Sequence, residues 1–441
     1  MNVPRRGACP TLAAPMPTGD GLLARIHSTG PVPIEDLLRL CNAALEHGNG
    51  VLEVTQRGSL QIRGLTPAST PAFARAVLGG DGRAQLTPPI LPSPLMGFDV
   101  QEAGDLRGTM KELECGLAHY AQLKALGPKV SILLDGGGAL HLDGISGDLR
   151  LRALSSTHLH MSIGDATGAS IALGSIDIHH ALEASSLVLD AIAARGPLGR
   201  ARDLANAADL AALHLSLSHL ITQSPLEEAP RPPAQPVGRH QLHDGTEALG
   251  IALPFGNIHA STLLTLASAA ARHGASWIEP APGRALLIAG LRAVPAQRLT
   301  AFAAQLGFIV QANDARRFVF ACAGAPACGS ALMATRLVAP DFARAAATLL
   351  DGSIAIHLSG CPKGCAHPGV AAMTFIGPGS FVAHGRAGDV PQAAVSVTQA
   401  LAGLARLSAE RSLVSGRDLS SAKMLSALGV PGMLAVMEGP S

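Results

Sequence analysis

Two pairs of cysteines near the C-terminal end carry the residue types and spacing that most clearly suggest chemistry. Cys322 and Cys328 lie in the segment CAGAPAC, and Cys361 and Cys365 lie in GCPKGC. A thiolate is a soft, charged ligand, and four thiolates in two short loops can surround a zinc ion or an iron–sulfur cluster. Four unligated cysteines are a third alternative, because a free cysteine is often only a small core residue.

The spacing and the neighbours of these cysteines favour the cluster. Five residues separate the first pair and three the second, whereas zinc modules mostly use gaps of two to four residues within each pair. Glycine and proline flank both pairs, at Gly324, Pro326, Gly329, Gly360, Pro362 and Gly364. They let the chain turn tightly around a bulky inorganic core and leave backbone N–H groups facing the sulfurs. A structural zinc site stays open as the alternative.

Composition limits the classes of protein to consider. The chain has 441 residues, 48% of them hydrophobic, which predicts two to four domains with buried cores. Basic and acidic residues balance at 33 against 32, so we expect no nucleic acid and no membrane as partner. The seven cysteines are an odd count without disulfide-like spacing, and no apolar run reaches the roughly 18 residues that span a bilayer. We therefore expect a cytoplasmic protein.

The chain contains an internal repeat. Residues 37–65 align without a gap to residues 263–291, with 12 of 29 positions identical. Each copy predicts an amphipathic helix ending in His-Gly, followed by two strands around a turn. A second pair of segments, 131–138 and 355–362, predicts a buried strand that runs into a turn, and the first copy has glycines where the second has cysteines. We expect only the second half to bind the metal.

A proline-rich segment, 224–237, separates the two halves and predicts an extended linker. Before and after it, we predict small helix-and-strand units at 1–80 and 238–300. Each is followed by a larger αβ unit, at 81–223 and 301–441. The expected fold class is α+β, with the two halves related by a pseudo-twofold.

These features resemble the sulfite and nitrite reductase superfamily, whose cluster motif has the same cysteine spacing and whose chain is an internal duplication. The resemblance covers nearly the whole chain. It implies that the two small units are ferredoxin-like half-domains, that 81–223 is a reductase-like domain without a cluster, and that 301–441 binds a [4Fe-4S] cluster. It makes Cys322, Cys328, Cys361 and Cys365 the ligands; by motif position Cys365 is the cysteine that bridges to sirohaem iron in the reductases.

Several positions depart from the reductase pattern. Lys363 and His367 stand where the sirohaem enzymes usually have Asn and Arg. Glu53 replaces an expected arginine, Pro88 replaces the usual substrate arginine, and Lys129 is what remains of a two-lysine anion site. A reductase needs concentrated positive charge on its small oxyanion. These changes therefore argue against reduction of sulfite or nitrite.

Four segments resemble instead the precorrin-3B synthase family within this superfamily: RGACP at 6–10, PMPTGDGLLARI at 15–26, LDGGG at 134–138 and HLSGCPKGCAHP at 357–368. The resemblance implies O₂-dependent hydroxylation of precorrin-3A at C20, with γ-lactone formation, in aerobic cobalamin biosynthesis. It also implies a [4Fe-4S] cluster and a separate mononuclear non-haem iron. No Rossmann fingerprint or P-loop appears, so we expect electrons from an external reductant, NADH acting through a partner reductase or ferredoxin.

The tetrapyrrole substrate carries many carboxylates, which arginine forks bind with fixed orientation. Thr55, Arg57 and Gln61 match the threonine-arginine-glutamine strand whose side chains meet tetrapyrrole carboxylates in the superfamily. With Arg63 and Lys129 they form the predicted substrate-binding set. The alternation along 51–63 predicts that the four members of this stretch share one face of a strand.

The predicted catalytic residues are His367 and Lys363, because both adjoin the cysteines of the second pair. The second iron has candidate ligands, but no compact pattern of two histidines and one carboxylate. These candidates are His158, His160, His179, His180, His240, His243 and Asp244, and His367 is favoured before them as a single ligand because it closely follows Cys365. Two other interpretations stay open: a sirohaem-dependent assimilatory sulfite or nitrite reductase, and a non-catalytic cluster-bearing scaffold or electron carrier.

Overall fold

A computed structural model describes residues 10–26, 30–78, 90–120, 126–223, 231–413 and 419–438. These residues form four β-sheets with helices packed on them. The predicted α+β class is confirmed. In the described residues, no helix has the length and apolar character needed to cross a membrane.

Two of the sheets are antiparallel and have five strands each. The first has the order β1 (Met16–Thr18), β2 (Gly21–Ile26), β5 (Leu60–Leu65), β4 (Val51–Val54) and β14 (Asn257–His259). The second has the order β12 (Gly238–Gln241), β13 (Glu247–Ala252), β16 (Ala285–Leu291), β15 (Trp277–Ala281) and β3 (Val32–Pro33). The helices α1 (Ile34–His47), α2 (Thr70–Leu78), α6 (Ala260–Arg272) and α7 (Ala293–Gln305) accompany them.

The predicted repeat is present in these two units. In both copies a helix, α1 or α6, is followed by two paired strands, β4 and β5 or β15 and β16. Both helices bury an apolar face, with Leu37 and Leu40 in α1 and Leu263 and Leu266 in α6. These side chains meet in one core, as the 3.6-residue periodicity requires.

The two units exchange a short strand, which the sequence did not predict. β3, just before α1, pairs with β15 of the second unit, and β14, just before α6, pairs with β4 of the first. Because each sheet takes its edge strand from the other half and α1 and α6 share a core, the two small units fold as one body. Strands of two or three residues carry too little alternation to indicate a partner.

The other two sheets share one topology. One has the order β6 (Ile90–Pro92), β7 (Ile132–Asp135), β8 (Leu149–Ala153), β9 (His158–Gly164), β10 (Ser170–Asp177) and β11 (Ile221–Gln223). The other has the order β17 (Val319–Ala321), β18 (Ile356–Ser359), β19 (Ala371–Ile376), β20 (Ser380–Gly385) and β21 (Ala393–Ala394). In each, the first three strands are parallel and the later ones antiparallel.

Helices cover the parallel strands of both sheets, as they must when a strand is buried on both sides. In the first sheet these are α3 (Arg107–Ala118), α4 (Ala181–Ala193) and α5 (Ala207–Leu217). In the second they are α8 (Thr335–Ala345), α9 (Val397–Leu413) and α10 (Ser421–Glu438). α3 and α8 each connect the first strand to the second, so the pseudo-twofold extends to the larger units.

The linker prediction falls partly outside the described residues, which omit 224–230. Residues 231–236 have no helix or strand. Arg231 fastens this segment to the first larger unit through ion pairs to Asp135, at 2.9 Å, and Asp143, at 2.6 Å. The domain boundaries proposed from the sequence stay a prediction.

Candidate metal centre

The two cysteine pairs lie at the carboxyl ends of neighbouring parallel strands. Cys322 directly follows β17, and Cys361 follows β18 after one glycine. Loops from the carboxyl ends of adjacent parallel strands meet at one edge of the sheet, where ligands of such sheets bind. The Cys322 N–H donates to the carbonyl of Leu358 at 3.2 Å, so the two loops are fixed at their first residues.

The four thiols are close enough to interact electrostatically. Burial raises the pKa of the Cys365 thiol, and the charges of three further cysteines raise it more. These are Cys322, Cys361 and Cys328. Like charges disfavour a further thiolate, so the other three cysteines lie within electrostatic range of Cys365.

The backbone around the thiols directs a donor at sulfur and packs closely against its neighbours. The Gly360 N–H donates to Cys322 Sγ at 3.2 Å. A Cβ on Gly360 would lie 2.5 Å from the Cβ of Ala331, and a Cβ on Gly324, where φ is +69°, would lie 2.5 Å from Thr335 Oγ1. Side chains at either glycine would displace the loops. Four thiols and an N–H directed at sulfur fit the [4Fe-4S] cluster that the sequence predicts.

In the described residues, no three His, Cys, Asp or Glu side chains meet in a way that could hold a single metal ion. This result concerns the zinc alternative and the second iron, which both need several side chains on one ion. A four-iron cluster takes one cysteine per iron and separates its four thiols. The assignment of all four cysteines as ligands of one cluster stays a prediction.

The corresponding turn of the first half is filled by the protein itself. This turn contains Gly136 and Gly137, where the second half has Gly360 and Cys361. Asp99 Oδ2 accepts a hydrogen bond from the Ala139 N–H at 2.7 Å. Leu95 and Leu140 are buried in an apolar cluster with side chains of the second small unit, including Ala281 and Leu287.

The predicted strand face at 51–63 is only partly present. The Thr55 N–H donates to Ser59 O at 2.9 Å and the Ser59 N–H donates to Thr55 Oγ1 at 3.0 Å, so 55–59 is a tight turn between β4 and β5. The prediction that Thr55 and Arg57 share a strand face with Gln61 and Arg63 is wrong. The Thr55 hydroxyl instead closes this turn.

Arg57 reaches from the turn to the first larger unit. Its Nη1 donates to the carbonyl of Ser146 at 2.6 Å and its Nη2 to Ser131 Oγ at 3.2 Å. Lys129 lies two residues before Ser131 and is exposed. The structure therefore brings these two predicted substrate cations to the same end of β7.

Arg63 and Gln61 lie elsewhere, inside a buried network. Arg63 donates to Asp20, Glu53 and the backbone carbonyl of Ala327. The Gln61 amide, oriented by its neighbours, donates to Glu53 at 2.8 Å and accepts from Arg25 at 2.6 Å. These contacts tie both side chains to the protein and give no support to their predicted role as substrate ligands.

The two predicted catalytic residues flank Cys365. Lys363 is exposed, and its Nζ donates to Ser330 Oγ at 3.0 Å. His367 is half-buried, with Nε2 at 3.2 Å from the carbonyl of Val370 and its ring centroid 4.6 Å from that of Phe320. Burial lowers the pKa of His367. The structure places one exposed cation and one packed imidazole beside Cys365.

The sequence reasoning missed three residues near His367, namely Arg284, Phe320 and His357. Arg284 stacks its guanidinium 4.6 Å from the Phe320 ring centroid and donates to Val319 O at 2.9 Å. Burial lowers the pKa of Arg284 to about 10, so it stays cationic at neutral pH. His357 is fully buried, and neither ring nitrogen has a hydrogen-bond partner among the described residues. Burial and the neighbouring His367 lower the pKa of His357 to about 4.

The internal repeat contained a signal for two of these residues. Arg284 corresponds to Gly58 in the offset of the first repeat, and both have a positive φ, +62° and +81°. His357 corresponds to Leu133 in the second repeat. When one half has a charged or polar residue and the equivalent position of the other half has glycine or leucine, the two positions do different work in the fold.

The second iron has no ligand set in the described part of the chain. Two of the candidate histidines have other partners: His240 Nε2 lies 3.1 Å from the carbonyl of Pro236, and His180 Nδ1 lies 3.6 Å from Glu183. The segment RGACP lies outside the described residues except for its last proline, and Pro88 also lies outside them.

Comparison with known proteins decides the family. A precorrin-3B synthase from Sinorhizobium sp is 35% identical over 412 residues, which cover 91% of this chain and 88% of that protein. The chain belongs to the precorrin-3B synthase family. The predicted superfamily is confirmed as well: residues 14–78 match the family model described as the nitrite/sulfite reductase ferredoxin-like half domain.

Sulfite reductases of the superfamily match a smaller part of this chain than the precorrin-3B synthase does. The sulfite reductase [NADPH] hemoprotein beta-component of Xanthomonas oryzae pv. oryzae is 32% identical over 152 residues, 31% of this chain and 27% of that protein. The solved structure of the Mycobacterium tuberculosis NirA protein superposes with a TM-score of 0.75 at 18% identity, covering 93% of this chain and 84% of that one. The latter likeness confirms the predicted reductase-like fold and concerns the fold alone.

Proposed function

We propose that this protein is a precorrin-3B synthase that uses O₂ to hydroxylate precorrin-3A at C20, with a γ-lactone formed by an acetate side chain. The observation that carries the proposal is the end-to-end similarity to the precorrin-3B synthase of Sinorhizobium sp. The family relationship makes the protein an enzyme of the oxidoreductase-type superfamily. The monooxygenase reaction is the finer part of the proposal.

The reaction needs an external source of electrons. One oxygen atom of O₂ enters the C–H bond at C20, and the other leaves as water after accepting two electrons and two protons. We propose NADH as the reductant, acting through a separate reductase or ferredoxin. When bound, a [4Fe-4S] cluster supplies electrons one at a time, which O₂ requires because it reacts slowly with closed-shell carbon.

Arg57 and Lys129 are the proposed ligands of the tetrapyrrole carboxylates. Arg57 is half-buried, and its bonds to Ser146 and Ser131 fix the direction of its guanidinium. A guanidinium that is already oriented loses less conformational entropy when it binds a carboxylate. Lys129 adds an exposed cation at the same end of β7. Together they would hold the acidic rim of the substrate.

His367 and Lys363 are proposed to face the reacting part of the substrate. His367 is held by the Phe320 ring and the Val370 carbonyl, so it presents one ring orientation. Lys363 carries a positive charge between two cluster cysteines, where it would favour the reduced cluster. We retain the mononuclear non-haem iron as part of the proposal, without ligands among the described residues.

A sirohaem-dependent sulfite or nitrite reductase is the second candidate, favoured by the partial match to sulfite reductases. The visible spectrum, iron content and acid-labile sulfide of anaerobically purified protein separate the two. We expect a cluster spectrum without porphyrin bands and four irons and four sulfides per chain, with any iron beyond four belonging to the second site. Sirohaem bands would contradict the synthase proposal, and zinc in place of iron and sulfide would contradict the cluster.

A further inference from the structure

The loop between the first two cysteines is held by residues from the other half of the chain. The carbonyl oxygen of Ala327, just before Cys328, accepts two hydrogen bonds. One comes from the Gly19 N–H at 3.1 Å, and the other from Arg63 Nη2 at 2.6 Å. Both donors belong to the first small unit, which carries no cluster cysteine. The first half therefore fixes the backbone next to a proposed ligand.

The contact between the two loops leaves no room for adjustment. A Cβ on Gly19 would lie 2.3 Å from the carbonyl oxygen of Pro326 and 2.9 Å from the backbone nitrogen of Gly329. Both neighbours are backbone atoms, so they cannot move aside as a flexible side chain would. The turn around Gly19 is thus matched to the shape of the cysteine loop.

Arg63 is held by a bidentate ion pair. Its Nε and Nη2 donate to the two carboxylate oxygens of Asp20 at 2.9 and 2.8 Å. The Asp20 carboxylate also accepts from Thr18 Oγ1 at 2.8 Å and from Asn49 Nδ2 at 3.0 Å. The Arg63 side chain is only 4% exposed, so water screens its charge weakly. Such a pair keeps one geometry.

The network extends to Glu53 and Arg336. Glu53 Oε1 lies 3.3 Å from Arg63 Nη1 and 2.8 Å from Arg336 Nη2. The two arginines and the two carboxylates of Asp20 and Glu53 sum to zero formal charge. Removing one member therefore leaves a net charge beside the cysteine loop, and removing an opposite pair does not.

We propose that the Asp20–Arg63 pair positions the cysteine loop and sets the reduction potential of the cluster from the half of the chain that has no cluster. The inference rests on the proposed cluster site. The charge and hydrogen bonding around a cluster tune its potential, and a nearby cation favours the reduced form. Arg63 is close enough for its charge to interact with Cys328. Arg63 is thus a positioning residue and not a substrate ligand.

The test is a redox titration followed by the electron paramagnetic resonance of the reduced cluster, on three variants of the full chain. Arg63→Met leaves an excess negative charge and should shift the potential to more negative values. Asp20→Asn leaves an excess positive charge and should shift it to more positive values. The double variant should return close to the wild-type potential, because the pair is removed together.

Arg200→Met is the matched control. Arg200 forms a similar bidentate pair with buried Asp148, at 2.8 and 2.9 Å, within the first larger unit. The Arg200→Met variant should lose about as much stability as Arg63→Met, but its cluster should keep the wild-type reduction potential. Unchanged potentials in the Arg63→Met and Asp20→Asn variants, or shifts of the same sign in both, would overturn the inference.

Loss of the cluster, in a variant or in the wild type, has a different meaning from an unchanged potential. If Arg63→Met does not retain a cluster, Arg63→Lys keeps the charge and should show a potential near that of the wild type, and Asp20→Asn still has to shift upward. An Arg63→Lys potential as low as expected for a neutral residue would contradict the inference. If the wild-type protein itself holds no cluster, the proposed function fails, whereas a wild-type cluster with unshifted variants sinks only the role of Asp20 and Arg63.

Discussion

Ser93 and Cys322 hold equivalent positions in the two halves of the chain. Each follows the first strand of its sheet and donates its N–H to the second strand, to the carbonyl of Leu134 at 2.8 Å or of Leu358 at 3.2 Å. Each side chain accepts a hydrogen bond from a glycine N–H, Ser93 Oγ from Gly136 at 3.0 Å and Cys322 Sγ from Gly360 at 3.2 Å. The fold thus accepts oxygen or sulfur at this point, whereas a soft metal centre prefers sulfur.

Cys322→Ser should therefore keep the fold and lose the cluster. The serine hydroxyl can accept from the Gly360 N–H as Ser93 accepts from Gly136, so the loop keeps its anchor. Iron and acid-labile sulfide should fall strongly, while the far-ultraviolet circular dichroism spectrum stays that of the wild type. Cys115→Ser, at an exposed cysteine outside the two pairs, is the control and should keep full cluster content. Retention of the cluster in Cys322→Ser would refute this ligand assignment.

Gly19→Ala should disturb the cysteine loop without touching a cysteine. Its Cβ would overlap backbone atoms of Pro326 and Gly329, and such overpacking typically costs about 1–3 kcal/mol. We expect a lower melting temperature and faster loss of the cluster in air. Gly108→Ala is the control, because its Cβ meets nothing within 4 Å and alanine stabilises a helix by roughly 0.5–1 kcal/mol relative to glycine. Equal cluster lifetimes in the two variants would contradict the packing argument.

Glu279 should make stability depend on pH between about 4.5 and 7. It is buried and accepts from the Leu95 N–H at 2.9 Å, and burial raises its pKa from 4.5 to about 7. The folded protein holds the proton that the unfolded chain releases above pH 4.5, so stability is full below that pH and is lost as the pH rises to about 7. Glu279→Gln cannot ionise at this position. Its free energy of unfolding, relative to that of the wild type, should therefore increase across this pH range by up to about 3 kcal/mol.

The melting temperatures of wild type and Glu279→Gln at several pH values measure this effect. Glu247→Gln, in the same sheet, is the control of opposite sign. Arg239 lowers the pKa of Glu247, so its ionised form stabilises the fold above the unfolded pKa and this contribution is lost as the pH falls. Parallel pH profiles for the wild type and Glu279→Gln would contradict the assignment of a protonated Glu279.

Arg57→Met should weaken tetrapyrrole binding. A hydrogen bond to a charged group contributes about 1.5–3 kcal/mol, so we expect a roughly ten- to hundredfold higher Kd for precorrin-3A under anaerobic conditions. An absorbance titration of the substrate measures this constant. Arg298→Met, at an exposed residue of α7, should bind like the wild type. Unchanged affinity in Arg57→Met would remove Arg57 from the substrate site.

The sequence was sufficient for the elements that repeat. The helix and strand pair at 37–65 and its copy at 263–291 carry long periodic patterns, and both appear in the structure. The strand exchange was beyond reach because β3 and β14 have only two and three residues. The prediction that Thr55 and Arg57 lie on a strand face was wrong because the chain turns at Gly58, where φ is +81°. The alternation of residue types in the sequence continues through this turn and gives no sign of it.

The site was predictable where residue type alone limits the chemistry. The spacing of the cysteines was enough to predict a metal centre at the two pairs. No pattern in the sequence indicates that Arg63 is buried against Ala327, 264 residues later. The replacement of an expected arginine by Glu53 reads in sequence as a lost substrate contact. In the structure Glu53 balances Arg63 and Arg336. Long-range charge pairs of this kind depend on the tertiary fold, which local pattern does not encode.

The most direct measurement is the mass of the product formed from precorrin-3A with isotopically labelled dioxygen and an external reductant. The purified protein with its cluster is incubated anaerobically with the substrate before the labelled gas is admitted. We expect a product that carries one labelled oxygen atom, and water that carries the other. A product without the label, or no product from protein that holds the cluster, a chemical reductant and bound substrate, would contradict the oxygenase function.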